Sequence, residues 1–172
     1  MDEKRKKLML RICWMIGANV ILGLGIALLR LSSFGTDPFT CMNLGVSSHL
    51  PISFATYQVL FNIMLIIPVF ILDRKSFGMG TLTNMVLLGY FVEFFVWFFS
   101  VFGVTIEGLS GNLFMRILAL TAGILVVCFG VALYMACDLG AGPYDRLPVV
   151  IETYTHGKIK YKWARVGQDA IS

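Results

Sequence analysis

Four long apolar stretches dominate the pattern of hydrophobic and polar positions along the chain. They cover residues 12–29, 52–72, 82–104 and 117–137, and shorter polar or charged segments separate them. A helix of about 20 mostly apolar residues is long enough to cross the hydrocarbon core of a bilayer. We therefore predict an all-α transmembrane protein, a helical bundle with four spans, and the start of a fifth span near residue 161.

The composition narrows the class of protein. Of the 172 residues, 58% are hydrophobic and 14% are charged, and the mean hydropathy is +0.81. A typical soluble domain carries about 25% charged residues, so the balance excludes a disordered chain, a nucleic-acid-binding module and almost every soluble enzyme. The sequence shows no nucleophile–base pattern, phosphate loop or metal-ligand spacing, so we predict no enzymatic activity, no cofactor and no metal. The predicted partner is the lipid bilayer.

The positions of the basic residues predict the topology. Twelve of the 14 Lys and Arg residues lie before the first stretch, between the second and third, or after the fourth, and only Arg30 and Arg116 lie on the other side. Cytoplasmic loops of membrane proteins carry an excess of Lys and Arg. We therefore expect a multi-pass protein of the plasma membrane with a cytoplasmic N-terminus, a cytoplasmic turn at 73–80 and a cytoplasmic segment after residue 138.

The chain contains an internal repeat at an offset of 105 residues. Residues 25–28 align with 130–133, and residues 34–39 align with 139–144. Five aligned positions are identical without a gap, namely Gly25, Ala27, Leu28, Gly35 and Pro38. A chance match between two apolar helices is the alternative. The repeat divides the single membrane domain, residues 1–172, into a first copy at approximately 8–104 and a second at approximately 113–172.

The repeat unit contains three spans, an odd number, so we expect the two copies to face opposite ways across the membrane. Such inverted-topology repeats are the plan of many secondary transporters. Residue 172 corresponds to Ile67, which lies well inside the second apolar stretch. We therefore expect the second copy to be incomplete here and to belong to a longer design with three spans in each copy.

Two short helices are predicted at corresponding places in the two copies. Asp37 and Pro38 have the residue types of an N-cap and a first helical turn, and Gly142, Pro143 and Asp145 begin the matching segment. The segment from Pro38 to Ser48 would be only about 16 Å long as a helix, which is too short to span the membrane. Two half-helices that point their positive N-terminal ends inward would suit an anionic small molecule. Plain capped helices at the membrane interface are the alternative.

Glu93 lies at the middle of the third apolar stretch. A carboxylate at that depth costs several kcal/mol unless it is protonated, paired or in contact with water. We favour a role as a proton carrier or a substrate contact, and the alternative is a protonated structural residue bonded to a neighbouring helix. Asn84, in the same stretch, joins the candidates for the pathway, although most such amides form hydrogen bonds between helices.

The chain resembles the YczE/YitT-type family of bacterial integral membrane proteins. The resemblance rests on residues 139–145 (Leu-Gly-Ala-Gly-Pro-Tyr-Asp), on residues 34–39, on the Gly-Met-Gly-Thr segment 78–81, and on the acidic residue at Glu93. It implies a multi-spanning inner-membrane protein, somewhat longer than this chain, from a family of mostly uncharacterised function. The first copy departs from the pattern, because Thr40 stands where the second copy has Asp145.

Together these features predict a small-molecule transporter or permease. Its site would lie at the membrane midplane and be lined by Glu93 and the two short-helix starts. The alternative function is a non-transporting membrane partner that scaffolds or regulates an enzyme complex. The basic segment 158–165 would then be a docking surface, or equally a positively charged anchor beside anionic lipid. A homo-oligomer is compatible with either function, and a nucleic-acid partner is not expected.

Overall fold

The computed structural model describes residues 3–72, 79–137, 139–140 and 142–172, and within these ranges the chain is helical and contains no strand. The predicted all-α class is confirmed for this part of the chain. The helices are α1 (Glu3–Ser32), α2 (Pro38–Ser47), α3 (Phe54–Leu72), α4 (Met79–Val101), α5 (Ile106–Ser110), α6 (Leu113–Ala136), α7 (Pro143–Tyr154) and α8 (Tyr161–Ile171).

Three of the helices are long and apolar enough to cross a membrane. They are Arg5–Ser32 within α1, Thr81–Val101 within α4, and Leu113–Ala136, which is all of α6. They coincide with the first, third and fourth predicted spans. Helix α3 has 19 residues, and its described side chains form an apolar stretch over Phe54–Ile67. The second predicted span therefore stays a prediction, and the turn predicted at 73–80 falls largely outside the described residues.

Helices α1 and α6 pack against each other in antiparallel directions through glycines. A side chain added at Gly25 would begin 2.9 Å from the backbone nitrogen of Val127, and one added at Gly130 would begin 3.1 Å from that of Leu22. Because lipid provides no hydrophobic force between helices, close backbone approach at small residues is a main source of their association. The α1–α6 contact is therefore the central frame of the described bundle.

Helix α4 lies on the opposite flank of α1 and holds α3 in place. Gly23 of α1 lies against the backbone of Phe91, and Gly89 of α4 lies against Ala55 of α3. Large apolar side chains on the outer faces of α4 and α6 are exposed, including Trp97 and Phe129. In a membrane protein such faces contact lipid, so the described helices bury their small and polar residues inward.

Candidate functional site

The starts of the two short helices lie next to each other, that of α7 buried and that of α2 exposed. The ring of Phe39, the second residue of α2, lies 4.5 Å from the ring of Tyr144, the second residue of α7, between centroids. Positions 39 and 144 correspond at the offset of 105. Pro38 and Pro143 are the first residues of the two helices, where a missing backbone N–H costs nothing.

The start of α2 is closed by its own side chain. Asp37 is the N-cap, and its Oδ2 accepts a hydrogen bond of 2.9 Å from the backbone nitrogen of Thr40. Two residues earlier, Gly35 has φ +106°, and its counterpart Gly140 has φ +102°. This left-handed region favours glycine, so the backbone before the two short helices turns in the same way in both copies.

The start of α7 is open at the corresponding position. Gly142 is the N-cap and makes no side-chain cap hydrogen bond. Its φ of −59° and ψ of 154° are available to any residue, so glycine is not required there by the backbone conformation. A Cβ at this position would lie 3.3 Å from Oδ1 of Asn84 and 3.5 Å from Oδ2 of Asp145. We call this small volume the Gly142 space.

Asn84 is oriented toward the Gly142 space by a relay of hydrogen bonds. Asn19, fully buried in α1, donates from Nδ2 to the carbonyl oxygen of Met15 at 3.0 Å. Its Oδ1 therefore accepts, and Asn84 donates to it from Nδ2 at 3.0 Å. The carbonyl oxygen of Asn84 is consequently the group that faces Gly142. Asn19 lies near the middle of Arg5–Ser32, so the Gly142 space lies at mid-depth in the bundle.

Asp145 is held by an ion pair with α8. Arg165 donates from Nη1 to Oδ1 of Asp145 at 2.9 Å, and its Nε lies 3.3 Å from Oδ2 of Asp169. The Arg165–Asp169 pair has the i, i+4 spacing that lets two side chains meet on one helix face. Since Arg165 uses the other oxygen of Asp145, Oδ2 is the oxygen left to face the Gly142 space.

Tyr144 is fixed by the same two helices. Its hydroxyl donates to Oδ1 of Asp169 at 2.8 Å and lies 3.0 Å from the Ser172 hydroxyl, and the guanidinium of Arg165 lies 5.0 Å from its ring centre. Burial raises the pKa of the Tyr144 phenol above its ordinary value. The hydroxyl therefore remains protonated and acts as the donor to Asp169.

Glu93 lies apart from this cluster. Its Oε1 accepts a hydrogen bond of 2.9 Å from the backbone nitrogen of Ala55, at the first turn of α3. Nine residues of α4 separate Glu93 from Asn84, which is about 14 Å along a helix. The carboxylate satisfies a helix-start N–H that has no partner within its own helix.

The structure thus divides the seven predicted site residues into three groups. Asn84, Gly142 and Asp145 surround one space, beside Pro143. Asp37 and Pro38 form the neighbouring start of α2, and Glu93 lies at the start of α3. Sequence reasoning did not single out Phe39 and Tyr144 as a meeting pair, although both are aromatic at corresponding positions of the repeat. That correspondence was the signal that could have found them.

Comparison with known proteins places the chain in a family. The model of a family of unknown function, DUF6198, matches residues 9–172. The chain belongs to this family. Relatives include an uncharacterized protein of Haemophilus influenzae, 33% identical over 135 residues, which are 76% of this chain and 56% of that protein. No solved structure matches the chain.

Two relatives from Bacillus subtilis extend the comparison. The uncharacterized membrane protein YczE is 24% identical over 166 residues, which are 96% of this chain and 73% of YczE. The uncharacterized protein YyaS is 28% identical over 132 residues, which are 77% of this chain and 63% of YyaS. The resemblance to the YczE-type family is confirmed, and the chain is a membrane protein. It spans little more than half the length of the Haemophilus relative.

Proposed function

We propose that the chain forms part of a small-molecule transporter or permease of the cell membrane. The observation that carries the proposal is the meeting of α2 and α7 at mid-depth, with Phe39 against Tyr144. Membrane transporters bind substrates near the midplane at the ends of discontinuous helices. Helices of 10 and 12 residues that begin next to each other in a bundle of membrane-length helices fit that plan.

The contacts between α1 and α6 support an inverted repeat. At the offset of 105, Leu22 corresponds to Val127, and Gly25 corresponds to Gly130. The contact of Gly25 with Val127 is therefore the counterpart of the contact of Gly130 with Leu22. Such a reciprocal pair is what a two-fold axis between the helices produces.

Arg116, in the first turns of α6, joins that helix to the end of α1. Arg116 donates from Nε to the carbonyl oxygen of Ser32 at 2.8 Å, and from Nη2 to that of Ser33 at 3.2 Å, where α1 ends. At the offset of 105, Arg116 corresponds to Arg11, and Ser32 corresponds to Cys137, the C-cap of α6. We propose that the two copies are inverted, on the basis of the α1–α6 contacts, and that the N-terminus is cytoplasmic, on the basis of the distribution of Lys and Arg.

The Gly142 space is the proposed contact for the polar group of the substrate. The N–H groups of the first turn of α7 have no acceptor within the helix and favour an anion, as the sequence predicts. The oxygens of Asn84 and Asp145 favour a hydrogen-bond donor instead. The two possibilities differ in ligand charge and can be separated with small molecules of equal size.

Three isosteric probes test the site: acetate, acetamide and acetamidinium. The purified protein is heated in detergent with each probe at constant ionic strength, because a ligand that binds only the folded state raises the melting temperature. We expect one probe to stabilise the wild type and to lose its effect in Gly142→Ala, whose Cβ fills the space. Gly17→Ala is the matched control, since nothing lies within 4 Å of a Cβ at position 17.

The outcomes separate the alternatives. Stabilisation by acetate would support an anionic substrate, and stabilisation by acetamide or acetamidinium would support a donor group. If no probe stabilises the wild type, or if Gly142→Ala responds as the wild type does, the Gly142 space is not the substrate contact.

Glu93 is proposed to set the depth at which α3 begins, and its role as a proton carrier stays a prediction. Glu93→Gln keeps an oxygen that can accept from Ala55 but removes the titratable group. Transport that loses its pH dependence in this variant, with the fold retained, would support a proton carrier. Unchanged pH-dependent transport would leave Glu93 with the positioning role alone.

A further inference from the structure

The contact between Phe39 and Tyr144 lies where a solute path between the two copies would cross the middle of the bundle. Each ring belongs to the second residue of a short helix. The Gly142 space lies close to Tyr144, because Gly142 precedes Tyr144 by two residues in the chain. Asn84 and Asn19 fix its depth near the middle of Arg5–Ser32. The two rings therefore lie at mid-depth, between segments that enter from corresponding places in the two copies.

The two rings are held differently. Tyr144 is 8% exposed, its hydroxyl has hydrogen-bond partners at Asp169 and Ser172, and its carbonyl oxygen accepts from Gln168 at 2.9 Å. Phe39 has no polar group on its ring. Apart from the contact with Tyr144, its ring contact is with Phe61 of α3, at 6.1 Å between centroids. The carbonyl oxygen of Phe39 also accepts a hydrogen bond, from Asn43 of the same helix at 2.8 Å. The difference therefore lies in the side chains: the Tyr144 hydroxyl is bonded to α8, whereas the Phe39 ring makes apolar contacts.

We propose that Phe39 and Tyr144 form the central barrier of the solute path, with Tyr144 as the fixed side and Phe39 as the side that moves. The proposal deepens the transport function proposed above and rests on it. Two aromatic rings in contact leave no room for water between them. Movement of Tyr144 would break its hydroxyl hydrogen bonds and leave buried partners unsatisfied, whereas the ring of Phe39 can move without breaking a side-chain hydrogen bond. The polar starts of α2 and α7 lie next to the two rings. Loss of either ring would therefore leave a hydrated gap that connects the two sides of the membrane.

The barrier is tested by a leak measurement that needs no knowledge of the substrate. The protein is reconstituted in liposomes, and glycerol entry is followed by light scattering after rapid mixing. We expect Phe39→Ala and Tyr144→Ala to admit glycerol severalfold faster than the wild type. Tyr144→Phe keeps the ring and should remain tight, which separates a barrier from a role of the hydroxyl. Phe34→Ala is the control, because this exposed aromatic lies over Arg116, away from the pair.

Two results would overturn the barrier. One is a wild-type glycerol rate in Phe39→Ala and Tyr144→Ala that elute as folded protein. The other is an equal increase in Phe34→Ala, which would indicate general loosening of the bundle. Neither result decides whether the Gly142 space binds the substrate, because the isosteric probes test that space separately. Conversely, a leak specific to the ring variants with no response to any isosteric probe would retain the barrier and reject the proposed substrate contact.

Discussion

The starts of α2 and α7 occupy corresponding positions in the repeat but differ in how they are closed. Asp37 closes α2 with its own carboxylate, and Gly142, at the corresponding position, has no side chain to close α7. Groups from α4 and from the first turn of α7 face the opening instead, through Asn84 and Asp145. Aligned residues at the offset of 105 thus begin two short helices, and the aligned position at which the residues differ, 37 and 142, marks the candidate site.

The comparison also separates structural from functional glycines. Gly35 and Gly140 both have positive φ, so the residue type follows from the backbone. Gly142 has a conformation open to any residue, so the residue type follows from the space around it. If turn geometry were the only reason for glycine, then Gly35, Gly140 and Gly142 would all have the same explanation.

The largest effect on the free energy of unfolding is expected at the glycines of the contact between α1 and α6. Gly25→Ala and Gly130→Ala each place a Cβ within 2.9 Å of a neighbouring side-chain atom and close to a backbone nitrogen. Overpacking of this kind typically costs about 1–3 kcal/mol, and the reciprocal contact predicts similar costs for both variants. Unfolding of the purified proteins in detergent measures them, with Gly17→Ala as the control. A large cost in one variant and none in the other would break the equivalence of the copies.

A smaller effect is expected when the cap of the first copy is transferred to the second. Gly142→Asp would bring a carboxylate beside the oxygens of Asn84 and Asp145, where it meets like charge and a second acceptor. We expect the free energy of unfolding to fall by about 2 kcal/mol, the usual scale for a poorly satisfied polar group. Increased stability in this variant would mean that α7 lacks only a cap and that the space has no other use.

The smallest effect is expected for the reciprocal change. Asp37→Ala removes the hydrogen bond to Thr40 and should cost about 1 kcal/mol, whereas Asp37→Gly should cost only a few tenths, because glycine is tolerated at an N-cap. Both are measured by the same unfolding experiment. A cost of several kcal/mol for Asp37→Gly would show that Asp37 has a role beyond closing its own helix.

Much of the fold followed from the sequence because it depends on local patterns. The apolar stretches predicted α1, α4 and α6 closely, and the Asp-Pro and Gly-Pro pairs predicted the first residues of α2 and α7. These features are set within one or two helical turns.

The contacts between helices did not follow, because they depend on how each helix rotates and at what depth it begins. The sequence indicated Glu93 as a midplane carboxylate but not its bond to Ala55, 38 residues away. It did not indicate the ion pair of Arg165 with Asp145, 20 residues away, or the hydrogen bond of Asn84 to Asn19. The candidate site is formed from such contacts, so its residues were predicted and its grouping was not.

The most direct test concerns the meeting of α2 and α7 in the membrane. The photoreactive residue p-benzoylphenylalanine is placed at position 39, irradiated in native membranes, and the cross-linked peptides are identified by mass spectrometry. The structure predicts cross-links to the α7 peptide that contains Tyr144, with Phe61 of α3 as the second acceptor. Cross-links to lipid alone, or to α6 without α7, would contradict the meeting of the two short helices.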